Sequence, residues 1–150
     1  MNEKEEKKLI ENALKHINFE MYVDAISLFK NFTEEYKESK YIDDVYYDIG
    51  LCYFKLKNFN KSINCFEFVI EKYPDSDIDS FSKREFGKTA AKCHLGIINC
   101  YLILNQKDKI QYHFDSLKKY DESSYVLDNL ENKLTFYEIA KKNIDLSNEC

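Results

Sequence analysis

Ser62-Ile-Asn-Cys-Phe66-Glu-Phe-Val69-Ile-Glu-Lys-Tyr73-Pro-Asp-Ser76 repeats an earlier stretch of the chain. That stretch, Ala25-Ile-Ser-Leu-Phe29-Lys-Asn-Phe32-Thr-Glu-Glu-Tyr36-Lys-Glu-Ser39, lies 37 residues upstream with no gap. In both, apolar residues return every three or four positions, the period of one helix face. A weaker third copy runs Ile110-Gln-Tyr-His-Phe114-Asp-Ser-Leu117-Lys-Lys-Tyr120-Asp-Glu-Ser123. Its Tyr and Ser sit 47 residues beyond the second copy and its Phe 48, a slip of one. Self-similarity at a period of roughly 20–50 residues is the mark of a solenoid, in which stacked units bury one continuous core.

The rest of the chain fits a stack of helices. Leu9, Ala13, His16, Ile17 and Glu20 form a stripe ahead of the first copy, and Tyr46, Ile49, Gly50 and Tyr53 one ahead of the second. Ala91, Leu95, Ile98 and Leu102 form a stripe ahead of the third, and Leu127, Leu130, Leu134, Tyr137 and Ala140 follow it. Polar breaks at 19–22, 38–41, 57–60, 74–79, 105–108 and 121–124 separate seven predicted helices. The chain has 150 residues but only 3 Gly and 1 Pro. An all-β chain would need turn residues every ~8–12 positions.

The middle unit resembles a tetratricopeptide repeat. That pattern places a large aromatic, then Leu-Gly, then Tyr on the first helix (helix A). Small, aromatic and small residues follow on the second (helix B), and then Pro. Tyr46, Ile49-Gly50, Tyr53, Ser62, Phe66, Val69 and Pro74 stand at these places. Gly50 opposite Ser62 lets the two helices approach, while Tyr53 and Phe66 fill the groove between units. The first unit keeps Ala13, Ala25 and Phe29 but carries His16 and Lys37 where Tyr and Pro are usual. The third keeps Leu95-Gly96 and Phe114. The resemblance implies a single all-α domain over 1–150, a right-handed solenoid of about three helix pairs. The pairs are expected at about 5–38, 42–75 and 88–121, with a C-terminal capping helix at about 124–143. Tyr-Pro-Asp-Ser at 73–76 is similar to the bacterial branch of the family found in Tol–Pal-associated and outer-membrane-assembly proteins. Gly50 to Gly96 spans 46 residues, about 12 more than the ~34 of the family. The excess is Asp75–Lys88, expected as a loop or as an extension of the fifth helix.

Charge narrows the function classes. There are 27 acids against 22 bases, and Arg84 is the sole arginine. Arginine forks dominate recognition of phosphates and base edges, so the composition argues against nucleic acid. The longest apolar run, Leu95–Leu104, is interrupted by Asn99 and is far short of the ~20 residues that span a bilayer. Met1–Lys8 leads into no apolar signal region. The five cysteines, Cys52, Cys65, Cys93, Cys100 and Cys150, form no framework spacing. The expectation is reduced thiols and a cytoplasmic setting, or a periplasmic one if a signal segment has been removed.

Catalytic and metal constellations are thin. Cys93 and His94 are adjacent, about 100° apart on a helix, and do not face each other. Cys93 and Cys100 share a face, but the CxxC pairing usual at structural zinc is lacking. Free Cys commonly packs as a small hydrophobe. The expectation is therefore no enzyme, cofactor or metal, with a thiol or zinc protein as the remote rival. His16 is expected at the core boundary and His113 in solvent. Lys83-Arg84 marks a local basic spot at an expected helix start.

The resemblance also implies a concave groove lined by the helix A residues. Tyr47, Leu51, Phe54, Ile97 and Tyr101 would present an apolar, aromatic surface to a peptide or helix of a protein partner. The family's carboxylate-clamp positions hold Ile10, Leu14, Asp48, Ala90 and His94, so the cations that grip a C-terminus are missing. Two other occupants stay open: the chain's own C-terminal segment, through Leu127, Leu130, Leu134 and Phe136, or a second copy in a homodimer.

Overall fold

The computed structural model describes residues 3–79, 81 and 83–149; Ser80 and Ser82 of the 75–88 segment and the Cys150 thiol lie outside them. Seven helices follow in order: α1 (Glu3–Asn18), α2 (Tyr22–Glu35), α3 (Ile42–Lys55), α4 (Phe59–Lys72), α5 (Thr89–Ile103), α6 (Ile110–Lys118) and α7 (Phe136–Asn148). Each of the first six packs on its neighbour in sequence, as the period predicts. Thus α1, α3 and α5 are the A helices and α2, α4 and α6 the B helices.

The A helices end in the same way. Glu20, Lys57 and Asn105 each adopt the left-handed conformation, with φ of 60°, 63° and 56°. The amide after each one returns to the helix: Met21 N to His16 O at 2.8 Å, Asn58 N to Tyr53 O and Gln106 N to Tyr101 O, both at 2.9 Å. This bond, with the shorter one from the left-handed residue itself, satisfies carbonyls that a helix end would otherwise strand. The turn residues are 37 and 48 apart, so the repeat period, slip included, is written into the backbone.

One ring holds the second and third pairs together. A Cβ at Gly50 would lie 2.6 Å from Phe66 Cε1, and a Cβ at Gly96 would lie 2.6 Å from Phe66 Cε2. Phe66, on α4, is thus gripped between α3 and α5 with no room for a methyl on either side. Ser62 Oγ donates to Gly50 O at 2.7 Å, fixing the α3–α4 contact. Tyr53 packs instead into the cluster that joins the first two pairs. Pro74 is exposed just beyond α4, where it stops the helix.

Of the two forms open to residues 75–88, a loop or a helix extension, the described residues take the first, an irregular strap, while the expected C-terminal helix needs correction. The strap contains β1 (Glu85–Phe86) and an antiparallel bridge from Asp77 to Lys88. The segment from 124 is not helical at once: it forms β2 (Tyr125–Leu127) and β3 (Lys133–Thr135) before α7. The sheet order is β1-β2-β3, all antiparallel, with Glu85 opposite Val126 and Tyr125 opposite Thr135. The Asp128 carboxylate accepts the Leu130 and Asn132 amides, both at 2.8 Å, and Glu131 takes φ of 64°. That tight turn overrides the helical spacing of Leu127, Leu130 and Leu134. Helix α7 starts only at Thr135, whose hydroxyl accepts the Glu138 amide in a capping box. It then packs on α5 and α6 through Phe136 and Ala140, covering the last pair as a solenoid's end requires.

Replacing Gly96 with Ala forces Phe66 aside and lowers unfolding free energy by about 1–3 kcal/mol. Adding Phe66→Leu removes the clash, so the double variant loses less than the two single losses together. Urea unfolding of the four proteins measures this, and strict additivity would show that the ring and glycine do not bear on each other.

Candidate functional site

The inner face of the A helices is covered along one half only. The cover is the strap, which runs over the N-terminal ends of α3 and α5. Asp79 N donates to Asp44 Oδ2 at 3.1 Å, and Phe81 packs on Tyr41 with ring centroids 5.6 Å apart. Thr89 Oγ1, where the strap enters α5, donates to Asp43 Oδ2 at 2.5 Å. On its other side the strap is tied to the hairpin. Arg84 Nε donates to Leu127 O at 3.2 Å, its terminal nitrogens reach Asp128 O and Glu131, and Lys88 N donates to Ser124 Oγ at 3.0 Å. The basic spot read in the sequence is therefore a tether, and not a helix start. Gly87, at φ of 104°, presses against Ser124 so closely that a Cβ would sit 2.3 Å from its Oγ.

Beneath the strap lies a cavity of about 130 Å³ lined by Leu14, Asp44, Asp48, Asp79, Phe81, Glu85 and Lys92. Its charge is lopsided. Lys92 is 7% exposed, pairs with Glu85 at 3.1 Å and lies 3.9 Å above the Tyr47 ring. Burial alone would push its ammonium down, but Tyr47, Glu85, Asp48 and Asp44 together hold it above the usual lysine range. Burial, helped by Asp43, raises Asp44 to about 8 against the pull of Lys92. Burial likewise raises Asp48 to about 7. One cation thus faces more carboxylates than it can neutralise. A larger cavity of about 670 Å³ lies between the start of α1 and residues 34–41, where Glu3 is already bound to Lys40 and Tyr41.

Beyond the strap, four of the five predicted groove residues keep some exposure. Tyr47, Leu51, Phe54 and Tyr101 are half-buried. Tyr47 lies against Phe66 and Phe54 against Phe59, at 5.3 and 5.5 Å between centroids. Ile97 is a correction: it is fully buried with Cys93, Cys100 and Phe66 and offers a partner no surface. Helix α5 is apolar around much of its girth, so its sequence did not show that Lys92, one position before Cys93, faces the cavity. Nor does the C-terminal segment fill the groove: Leu130 is 81% exposed, and Phe136 packs on α5 and α6.

The thiols and histidines are placed for packing. Burial pushes Cys52 to about 12 and Cys65 and Cys100 to about 11, and raises Cys93 as well. Reactive thiols need the opposite shift. No group of three ligating side chains that could hold a metal occurs among the described residues. His94 faces away from Cys93, and its Nδ1 lies 2.9 Å from that of His113, which is half-buried and not solvated. Burial lowers both to about 4. His16 sits at the boundary, bonded to Asn12 O.

The tetratricopeptide repeat family model matches residues 43–76. No curated protein matches the chain. Among solved structures, a MamA mutant is 18% identical over 79% of this chain, with a TM-score of 0.57, and the chain spans 56% of that protein's length. The Hsp90 co-chaperone Cns1 from Saccharomyces cerevisiae is 14% identical, with 99% of this chain and 41% of that one covered and a TM-score of 0.68. PcrH, solved in complex with the chaperone binding region of PopB, is 11% identical, with coverage of 98% and 97% and a TM-score of 0.66. The fold is that of a tetratricopeptide-type helical solenoid, and the second pair carries the repeat itself.

The cavity's carboxylates set a pH dependence. Asp44, raised to about 8 in the folded state, holds a proton that the unfolded chain releases near pH 4. Stability therefore falls as pH rises through that window. His94 and His113, lowered to about 4, act in the reverse sense, costing stability as pH falls from about 6.5 to 4. Above about pH 6.5 the histidines no longer contribute, and the carboxylates lead, joined towards pH 8 by the raised thiols, which act in the same sense. Wild-type stability drops between pH 6.5 and 8, and Asp44→Asn removes about 1–2 kcal/mol of that drop. Urea midpoints at the two pH values measure it. An Asn variant as pH-sensitive as the wild type would contradict the assignment.

Proposed function

We propose that this chain is a non-catalytic adaptor or assembly factor that holds an apolar or amphipathic segment of a protein partner on the uncovered half of its inner face. The observation that carries the reading is the surface formed by Leu51, Phe54 and Tyr101. These side chains are half-buried, and the C-terminal hairpin and helix that were candidates to fill the groove pack elsewhere. Partly exposed aromatic and aliphatic groups in a concave face are suited to anchor residues of a bound helix or strand. The matched repeat supports the class, as does the likeness to PcrH, whose structure holds a region of PopB. The free thiols of Cys52, Cys65, Cys93 and Cys100, the described cysteines, favour a reducing compartment such as the cytoplasm. A narrower reading, an adaptor of envelope assembly, rests on the Tyr73–Ser76 phrase alone.

Selection of a displayed peptide library on the purified chain tests the proposal. Selected peptides carry apolar residues at helical or alternating spacing. Leu51→Ala/Phe54→Ala, still helical by circular dichroism, binds them at least about 10-fold more weakly, as loss of hot-spot contacts does. Peptides held equally by both proteins would place the site elsewhere. A sedimentation coefficient that rises with concentration, and loses that rise in the double variant, would assign the surface to a second copy.

A further inference from the structure

The turns that join helix A to helix B line one edge of the stack, and this edge differs from the rest of the surface. Leu56 and Phe59 of the second turn share a shallow cavity with Leu104 of the third. At the same end the Tyr53 ring lies between Lys30 of α2 and Lys61 of α4, at 5.6 and 5.5 Å, joining the first pair to the second. Large apolar side chains project here into water. Phe19 is 76% exposed, Val23 64% and Ile103 55%, with Met21 and Leu56 also exposed. These five are close to half of the twelve exposed large hydrophobic residues among those described. Packing does not need them, since they stand outside every core cluster.

The charge of the edge is inverted relative to the chain. The turn segments 15–24, 55–61 and 103–109 hold six lysines against three acids; the end of α7, which Lys107 meets through Asn148 at 3.2 Å, adds Asp145 and Glu149 beside the third turn. Segments 34–40, 75–88 and 119–133, which contain the B-to-A connections at the other edge, hold eleven acids against seven bases. A net charge of −5 thus conceals a positive edge and a negative one. The two also differ in pairing. The ion pairs among the described residues use Lys40, Arg84, Lys88, Lys92, Lys118 and Lys133. None uses a lysine of the A–B turns.

We propose that this edge docks onto an anionic lipid surface, with the turn lysines at the headgroups and Phe19, Val23, Leu56 and Ile103 inserted among them. The arrangement suits a bilayer better than a folded partner. The apolar tips come from successive turns, spaced by the ~8–10 Å between packed helices; Leu56 borders the shallow cavity with Phe59 and Leu104, while Phe19, Val23 and Ile103 project into water. Lysine is a point cation with a long apolar stem, able to lie at the headgroup level. Anionic leaflets attract such cations individually, and the acidic edge opposite orients the molecule as it approaches.

Co-sedimentation of the full chain with phosphatidylcholine vesicles, with and without phosphatidylserine, tests this. The chain pellets with the anionic vesicles only, and added salt releases it. Lys57→Gln/Lys107→Gln lowers the partition coefficient roughly 30-fold, given the usual contribution of each cation. Phe19→Ser/Ile103→Ser lowers it at least about 10-fold through lost apolar insertion. All four positions are exposed, and circular dichroism confirms that the variants fold. No pelleting with anionic vesicles overturns the proposal. So does binding to soluble polyglutamate that is as tight as to vesicles and indifferent to Phe19→Ser/Ile103→Ser, which would assign the edge to an acidic polypeptide.

Discussion

The contact on which the stack depends is the ring of Phe66 held between the backbones of Gly50 and Gly96. A phenyl ring gripped by two main chains fixes the spacing of α3, α4 and α5 more tightly than interdigitated side chains would, because backbone cannot rotate out of the way. The Ser62 hydroxyl bonded to the Gly50 carbonyl keeps α4 at that spacing without leaving a buried polar group unmatched. Everything on the inner face inherits its position from this arrangement. Tyr47 lies against the same ring, and Lys92 lies over Tyr47.

The strap is the main departure from a plain repeat array, and it divides the inner face into two chemistries. Under it, one lysine serves several carboxylates in a small cavity, an arrangement that burial makes costly. The cost is offset by what the strap ties together: Asp79 and Thr89 on α3, Phe81 on Tyr41, Arg84 on the hairpin. Past it, the face is aromatic and open to contact. A partner that lies along the groove would meet apolar surface first and the carboxylates only where the strap yields.

Local spacing made much of this legible. Gly50, Ser62 and Phe66 stand at fixed offsets, and their contact follows from helix geometry, so the sequence reading anticipates it. The offsets of 37 and 48 residues recur in the left-handed turn residues. Legibility failed where a pattern had two solutions. Leu127, Leu130 and Leu134 carry a helical period, yet the side chain of Asp128 builds a turn between them. Helix α5 has apolar residues on several faces, so periodicity leaves its phase ambiguous: Ile97 turns into the core and Lys92 into the cavity. The partners of the strap were invisible for a different reason. Arg84 meets residues more than 40 positions away, and no periodicity encodes such a contact.

That long-range tether changes how such a stack comes apart. A solenoid held by nearest-neighbour contacts can fray from either end. Here β1 is stitched to β2 and Arg84 to the hairpin loop, closing a loop of chain around α5 and α6. The third pair cannot peel away until the sheet is undone, and α7 is anchored by β3 at its start. The C-terminal half therefore opens as one cooperative block. Fraying is left to the other end, where α1 leans on the stack and Glu3 of its first turn bonds Lys40 and Tyr41.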